Sequence, residues 1–254
     1  MSGFLELPER SVKPRQVGIT HVIDRGLSVA GLDGLIEVVG ESVDIIKLGW
    51  GTALATANLE RKLARYREHG IPTMLGGSLT ELAIAQGQLD RLVEWVKELG
   101  LTHFEISDGT IALEHERKLE MIELLAKDFT VLSEVGSKDD TGAITPPYLW
   151  VEQMRQELDA GAWKVIAEGR ESGTAGIFRP DGEVREGLID EIVHEIPRDS
   201  ILFDAPRKEQ QVWFVRRFGP NVNLGNVPVD EILALETLRL GLRSDTMGVE
   251  RRGT

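Results

Sequence analysis

Charged residues interrupt five short apolar runs of this chain at positions where alternation would turn them to one side. Lys47 sits within Ile45-Ile46-Lys47-Leu48-Gly49, and Glu105 within His103-Phe104-Glu105-Ile106-Ser107. Glu168 ends Lys164-Val165-Ile166-Ala167-Glu168, and Asp204 ends Ile201-Leu202-Phe203-Asp204. Successive side chains of a strand point to opposite faces. If Ile46, Leu48, Phe104 and Ile106 take the outer face, then Lys47, Glu105 and Ser107 take the inner one. The same parity turns Lys164, Glu168 and Asp204 inward. Glu134, in Leu132-Ser133-Glu134-Val135, is less sharply placed because Ser133 breaks the pattern.

A ring of carboxylates beside one lysine cannot remain an unpaired buried charge, since isolated ions are costly to desolvate. Lysines alone would balance it, or a divalent metal would share the task. With no cysteine and five scattered histidines, an all-oxygen site favours magnesium over zinc. An internal salt-bridge network is the alternative reading of the same residues.

Other segments carry weaker signals. Glu168-Gly-Arg-Glu-Ser-Gly-Thr-Ala-Gly176 has the glycines, hydroxyls and arginine of an anion-wrapping loop, or of a long flexible one. Asn223-Leu-Gly-Asn226 is a phosphate turn or a plain helix-capping turn. Gly76-Gly77-Ser78 reads as a turn more readily than as an anion nest. His21, His69, His103, His115 and His194 show no metal-ligand spacing; lining the barrel is an alternative for His103, but each reads better as a satisfied core or surface histidine. Trp213, Phe214 and Phe218 read as helix packing.

These residues need a frame. Strands are expected at about 17–24, 44–49, 72–76, 103–107, 130–135, 163–168, 201–205 and 222–225. Helical patterns fill 59–69, 89–99, 116–127, 149–160, 184–194, 210–218 and 229–240. Leu89, Leu92, Val93, Val96 and Leu99 share one helical face, and Gly100 follows as a stop. Such alternation predicts a parallel sheet. About eight units in 254 residues suit a single α/β domain, a (β/α)8 TIM barrel. An open sheet is the alternative, although the first strand has no GxGxxG fingerprint. Residues 1–15 read as an N-terminal extension and 247–254 as a tail expected to be disordered. Barrel enzymes hold their chemistry at the C-terminal ends of the strands, where Glu105, Glu134, Glu168 and Asp204 would lie.

Composition narrows the function. A net charge of −13 opposes nucleic-acid binding. The absence of cysteine removes disulfides, thiolate metal sites and cysteine nucleophiles. No apolar run approaches a membrane span, and the charged start lacks a secretion signal. A cytoplasmic protein is expected.

Longer strings carry a resemblance. Lys13-Pro-Arg15, Thr20-His-Val-Ile-Asp24-Arg-Gly-Leu27, Ile46-Lys-Leu-Gly-Trp-Gly-Thr52 and Phe104-Glu-Ile-Ser-Asp-Gly109 resemble phosphosulfolactate synthases. So do Val131-Leu-Ser-Glu-Val-Gly136, Glu168-Gly-Arg-Glu-Ser-Gly173, Ala205-Pro-Arg-Lys208 and Phe218-Gly-Pro-Asn-Val-Asn-Leu-Gly-Asn226. The similarity runs from Lys13 to Thr246. It implies a magnesium-dependent barrel that adds sulfite to phosphoenolpyruvate, through an enolate-like species, on the way to coenzyme M or sulfolactate.

On that resemblance, Glu105, Glu134, Glu168 and Asp204 hold magnesium, and Lys47 or Lys138 protonates the carbon. Asp24, Arg25, Arg170, Ser172, Lys208, Asn223, Gly225 and Asn226 bind substrate. The expected partners are the two small anions, with no nucleic acid or membrane; a homo-oligomer is compatible. Two positions depart from the family pattern: Ser137 stands where a lysine is frequent, and Asp204 where glutamate is usual. Another phosphorylated three-carbon acid as substrate, or a non-catalytic role in stress tolerance, are the alternatives.

Overall fold

The computed structural model describes residues 4–136 and 145–248. Eight strands are present: β1 Thr20–Asp24, β2 Ile45–Leu48, β3 Thr73–Leu75, β4 His103–Ile106, β5 Thr130–Val135, β6 Lys164–Ala167, β7 Ile201–Asp204 and β8 Leu224–Pro228. The α-helices among the described residues are α1 Val29–Val39, α2 Thr52–Ala55, α3 Leu59–Glu68, α4 Gly77–Ala85, α5 Leu89–Glu98, α6 His115–Leu125, α7 Pro147–Asp159, α8 Glu186–Glu195, α9 Lys208–Phe218 and α10 Ile232–Arg239.

All ladders are parallel and run in the order β3-β2-β1-β8-β7-β6-β5-β4. At the remaining seam β3 and β4 stand side by side. There the first turns of α4 clamp β4: Gly77 N–H donates to Glu105 Oε1 at 2.5 Å, and Thr80 Oγ1 to Glu105 O at 2.8 Å. The result is the expected (β/α)8 barrel.

Two apolar sets hold it together, as strand alternation requires. Ile46, Leu48, Phe104, Ile106, Val165 and Phe203 face the helices. Ile19, Ile45, Met74, Leu132, Ile166 and Leu202 form an inner plug. Each such buried aliphatic side chain contributes about 1.5–3 kcal/mol. Because the plug fills the barrel axis, polar groups are confined to its two ends.

The expected aromatic packing is present, with Phe203 stacked on Phe214 at 4.8 Å between ring centroids and on Phe218 at 5.7 Å. Two long helices lay outside the sequence reading. α1 contains Gly31 and Gly34, and α4 opens on Gly77-Ser78, so both lack a strong helical signal. The segment 76–78 is thus a helix start. Residues 10–15, read as extension, are tied to the barrel: Arg10 pairs with Glu236 at 3.0 Å and Arg15 with Asp44 at 3.0 Å.

Candidate active site

Parity delivers the charged residues as expected. Lys47, Glu105, Glu134, Glu168 and Asp204 are all buried inside the barrel at the C-terminal ends of their strands. Oxygen atoms of Glu134, Glu168 and Asp204 lie within 4.8 Å of one another. Glu105 stands beside this trio, not within it: Lys47 Nζ lies 3.1 Å from Glu105 Oε2, and the N-terminal N–H of α4 takes its other oxygen. Ser133, which blurred the reading of Glu134, faces the helix layer next to Glu157.

Each member of the trio is aimed by a local device. Ser107 Oγ lies 2.9 Å from Glu134 Oε1. The Glu168 carboxylate accepts the N–H of Arg170, whose φ of 59° folds the loop back over it. Asp204 Oδ2 accepts Gly169 N–H at 3.1 Å and Asn226 Nδ2 at 2.7 Å. Asn226 reaches it because β8 carries a bulge: Thr20 pairs with Leu224 but Val22 with Val227, and Asn226 takes φ 51°. Such bulges re-aim a side chain beside active sites. Gly225 is required at the same place, since a Cβ there would meet Leu202 Cδ2 at 2.1 Å.

Burial is the main cause of the electrostatics. It pushes the Asp204 carboxyl up to about 7; Lys47 opposes the rise, and Glu134 and Glu105 add to it. His21, missed as a site residue, lies on the floor. Its Nδ1 accepts Asn226 N–H at 3.3 Å, and burial, reinforced by Lys47, holds the ring well below its ordinary value and so neutral.

The trio fits a hard dication. All its donors are carboxylate oxygens, and Asp204 Oδ1 is buried with no hydrogen-bond partner among the described residues. The cup has a volume of about 60 Å3, room for a cation and a small number of waters. An organic anion would lie above it, on a rim that includes Trp50, Ser78 and Glu171. A cavity of about 810 Å3 is at the other end of the barrel around Ile19, His103 and Trp163, remote from the carboxylates.

The substrate residues are divided. Arg25 reaches the rim, its guanidinium 5.2 Å from the ring centre of the exposed Trp50. Arg170 and Ser172 lie in the loop after β6, with Ser172 Oγ 2.7 Å from Thr174 Oγ1. Gly225 and Asn226 border the cup, but the Asn226 N–H is given to His21 and is not free for phosphate.

Three expectations are corrected. Asp24 turns into the helix layer, where Lys62 at 2.5 Å, Tyr66 at 2.8 Å and the N–H groups of Gly26 and Leu27 saturate it; it shapes the loop carrying Arg25. Asn223 sits at the N-terminal end of the barrel, accepting from Ile19 N–H and donating to Asp199 O and Ile201 O. Lys208 pairs with Asp245 at 3.1 Å on the surface. Lys164 does point inward, but at the bottom, bonded to Gln16 O and Asp199 O. Lys138 and Ser137 lie outside the described residues.

Glu81 was also missed, since its helix was. It is 2% exposed and accepts from Ser107 Oγ at 2.5 Å. No helix among the described residues is long and apolar enough to cross a membrane.

Comparison with known proteins shows the family. Residues 8–245 match the (2R)-phospho-3-sulfolactate synthase family. The phosphosulfolactate synthase of Bacillus subtilis is 41% identical over 249 residues, covering 97% of this chain and 99% of that protein. That of Methanothermobacter thermautotrophicus is 41% identical over 246 residues, covering 95% of each. Protein HEAT-STRESS-ASSOCIATED 32 of Arabidopsis thaliana is more distant, 23% identical over 265 residues, covering 93% and 91%. Dihydrodipicolinate synthase of Bacteroides thetaiotaomicron shares the fold, with TM-score 0.56 at 12% identity, covering 92% of this chain and 77% of that one. A match of that extent, with relatives of that identity, means that the chain belongs to the phosphosulfolactate synthase family and is an enzyme of that type.

Proposed function

We propose that this enzyme adds sulfite to phosphoenolpyruvate with the help of a magnesium ion held by Glu134, Glu168 and Asp204. The observation that carries the reading is the convergence of those three oxygens within 4.8 Å at the C-terminal mouth, with the Lys47–Glu105 pair beside them. Sulfite sulfur forms a bond to the methylene carbon, the double-bond electron pair moves to the neighbouring carbon, and that carbon then takes a proton. The product is phosphosulfolactate.

A divalent cation would supply positive charge against the enolate-like charge on the substrate carboxylate. The chain's own residues do the rest. Lys47 brings ammonium protons to the cup wall and is the donor we assign to the carbon. Arg25, stacked on Trp50, offers charge-assisted hydrogen bonds to an anion crossing the rim. Local cations are needed there, since a net charge of −13 otherwise repels both substrates. We place the reaction in the cytoplasm, with the product directed to sulfolactate or coenzyme M.

The test is direct. Purified protein, phosphoenolpyruvate, sulfite and magnesium should give phosphosulfolactate, seen as a new phosphorus resonance, and a chelator should stop it. Magnesium-dependent binding of phosphoenolpyruvate without product would point to another acceptor acid, and neither binding nor product would point away from catalysis. The 41% identity to the synthase of Bacillus subtilis, against 23% to the heat-stress protein, favours the first outcome.

A further inference from the structure

Trp50 combines an unfavourable backbone with an exposed ring at the edge of the cup. Its φ of 55° and ψ of 28° lie in the left-handed region, which strains a bulky residue but suits glycine or asparagine. The side chain is 54% exposed and lines the cup together with Lys47, Glu134 and Glu168. A ring that stays in water gains little from apolar burial, so core packing does not explain why the strain is kept. Strain of this kind gathers at ligand clamps and active sites.

The surrounding turn holds that backbone in place. Thr52 Oγ1 donates to Gly49 O at 2.8 Å, and a Cβ on Gly49 would meet Ile23 Cδ1 at 2.6 Å. The turn after β2 therefore packs directly on β1, the strand that leads into Arg25. There the Asp24 carboxylate accepts the N–H groups of Gly26 and Leu27 at 2.8 and 2.7 Å, which fixes the main chain on the far side of Arg25. What remains free is the long Arg25 side chain. The indole restrains it, with the guanidinium carbon 5.2 Å from the ring centre.

We propose that Trp50 is a positioning residue, whose ring is the platform that orders Arg25 before the substrate anion arrives. This deepens the reading of Arg25 as a rim residue that recognises phosphoenolpyruvate, and rests on it. A flexible cation ordered in advance loses less freedom when the ligand binds, and affinity rises. For a cation over an exposed aromatic face the contribution corresponds to about two- to fivefold in affinity.

The experiment is calorimetric titration of the whole protein with phosphoenolpyruvate in the presence of Mg2+, beside urea unfolding. Trp50→Asn, which accepts the left-handed backbone, should weaken binding by about two- to fivefold, while the unfolding midpoint holds or rises. Trp50→Phe should keep most of the affinity, because a phenyl face also attracts a guanidinium. Arg25→Ala should lose more than Trp50→Asn. The double variant should be no weaker than Arg25→Ala alone, since the ring acts through the guanidinium. Unchanged affinity in Trp50→Asn, or additive losses in the double variant, would overturn the inference while leaving Arg25 in the substrate site. Unchanged affinity in Arg25→Ala would remove the substrate reading of Arg25, and this inference with it.

Discussion

Asn226 donates to Asp204 Oδ2 at 2.7 Å from the far side of the β8 bulge, while Asp204 Oδ1 has no hydrogen-bond partner among the described residues. A half-satisfied, fully buried carboxyl prefers to keep a proton, and burial accordingly raises it from 3.8 to about 7, with Lys47 opposing. The folded value exceeds the unfolded one. The stability tied to this group is therefore complete below its unfolded value and is lost as pH rises through about 7. A dication has the opposite dependence, since it must displace the proton. Mn2+ affinity should rise with pH up to about 7 and then level off. In weak buffer at about pH 6, binding should release about one proton, and far less at about pH 8. Equal affinity at the two pH values would take Asp204 out of the set.

Glu168→Gln keeps the size of the side chain and removes its charge. The barrel should stay folded, because the substitution relieves repulsion among three buried acids. Cation-dependent phosphoenolpyruvate binding should fall by more than about 100-fold, beyond what outer partners of a metal ligand usually cost. Calorimetric titration of substrate with and without Mg2+ decides this. An unaltered Mg2+ effect would exclude Glu168.

Lys47 and Glu105 separate stability from catalysis. Glu105→Gln removes the negative charge 3.1 Å from the buried Lys47 ammonium, and breaking a buried pair from one side costs about 3–5 kcal/mol. Lys47→Met with Glu105→Gln removes both charges and should recover most of that stability in urea unfolding. Turnover should not return in the double variant if Lys47 is the proton donor. Recovered turnover would reassign the donor.

How much of this was legible beforehand follows from periodicity. Alternation placed Lys47, Glu105, Glu168 and Asp204 inside, because Ile46, Phe104, Val165 and Phe203 left no other outer face. It could not separate Glu105 from the trio, since that depends on the distance from Lys47 across β2 to β4. Asp24 was misjudged for a related reason. It follows the inward Ile23 and so points out to Lys62, but a polar residue at a strand end reads as functional on either face. Glu81 was invisible because it lies on a helix that opens with Gly77-Ser78; His21 precedes the outward Val22 and so turns inward by alternation, but a lone histidine without ligand spacing carries no site signal.

Asn223 offers the complementary test, at the end of the barrel away from the cup. Its side chain accepts Ile19 N–H at 3.1 Å and donates to Asp199 O at 3.1 Å and Ile201 O at 3.0 Å. Those bonds tie the starts of β1, β7 and β8 together. Asn223→Ala strands the buried Ile19 N–H and takes a donor from Ile201 O, while Asp199 O keeps Lys164, and one unsatisfied buried group costs about 1–3 kcal/mol. The unfolding midpoint in urea should drop accordingly. The KM values for phosphoenolpyruvate and sulfite should not move, because the inner plug of Ile19, Ile166 and Leu202 separates Asn223 from the carboxylates. A raised KM with unchanged stability would return Asn223 to the substrate site and contradict the two-ended division of polar groups.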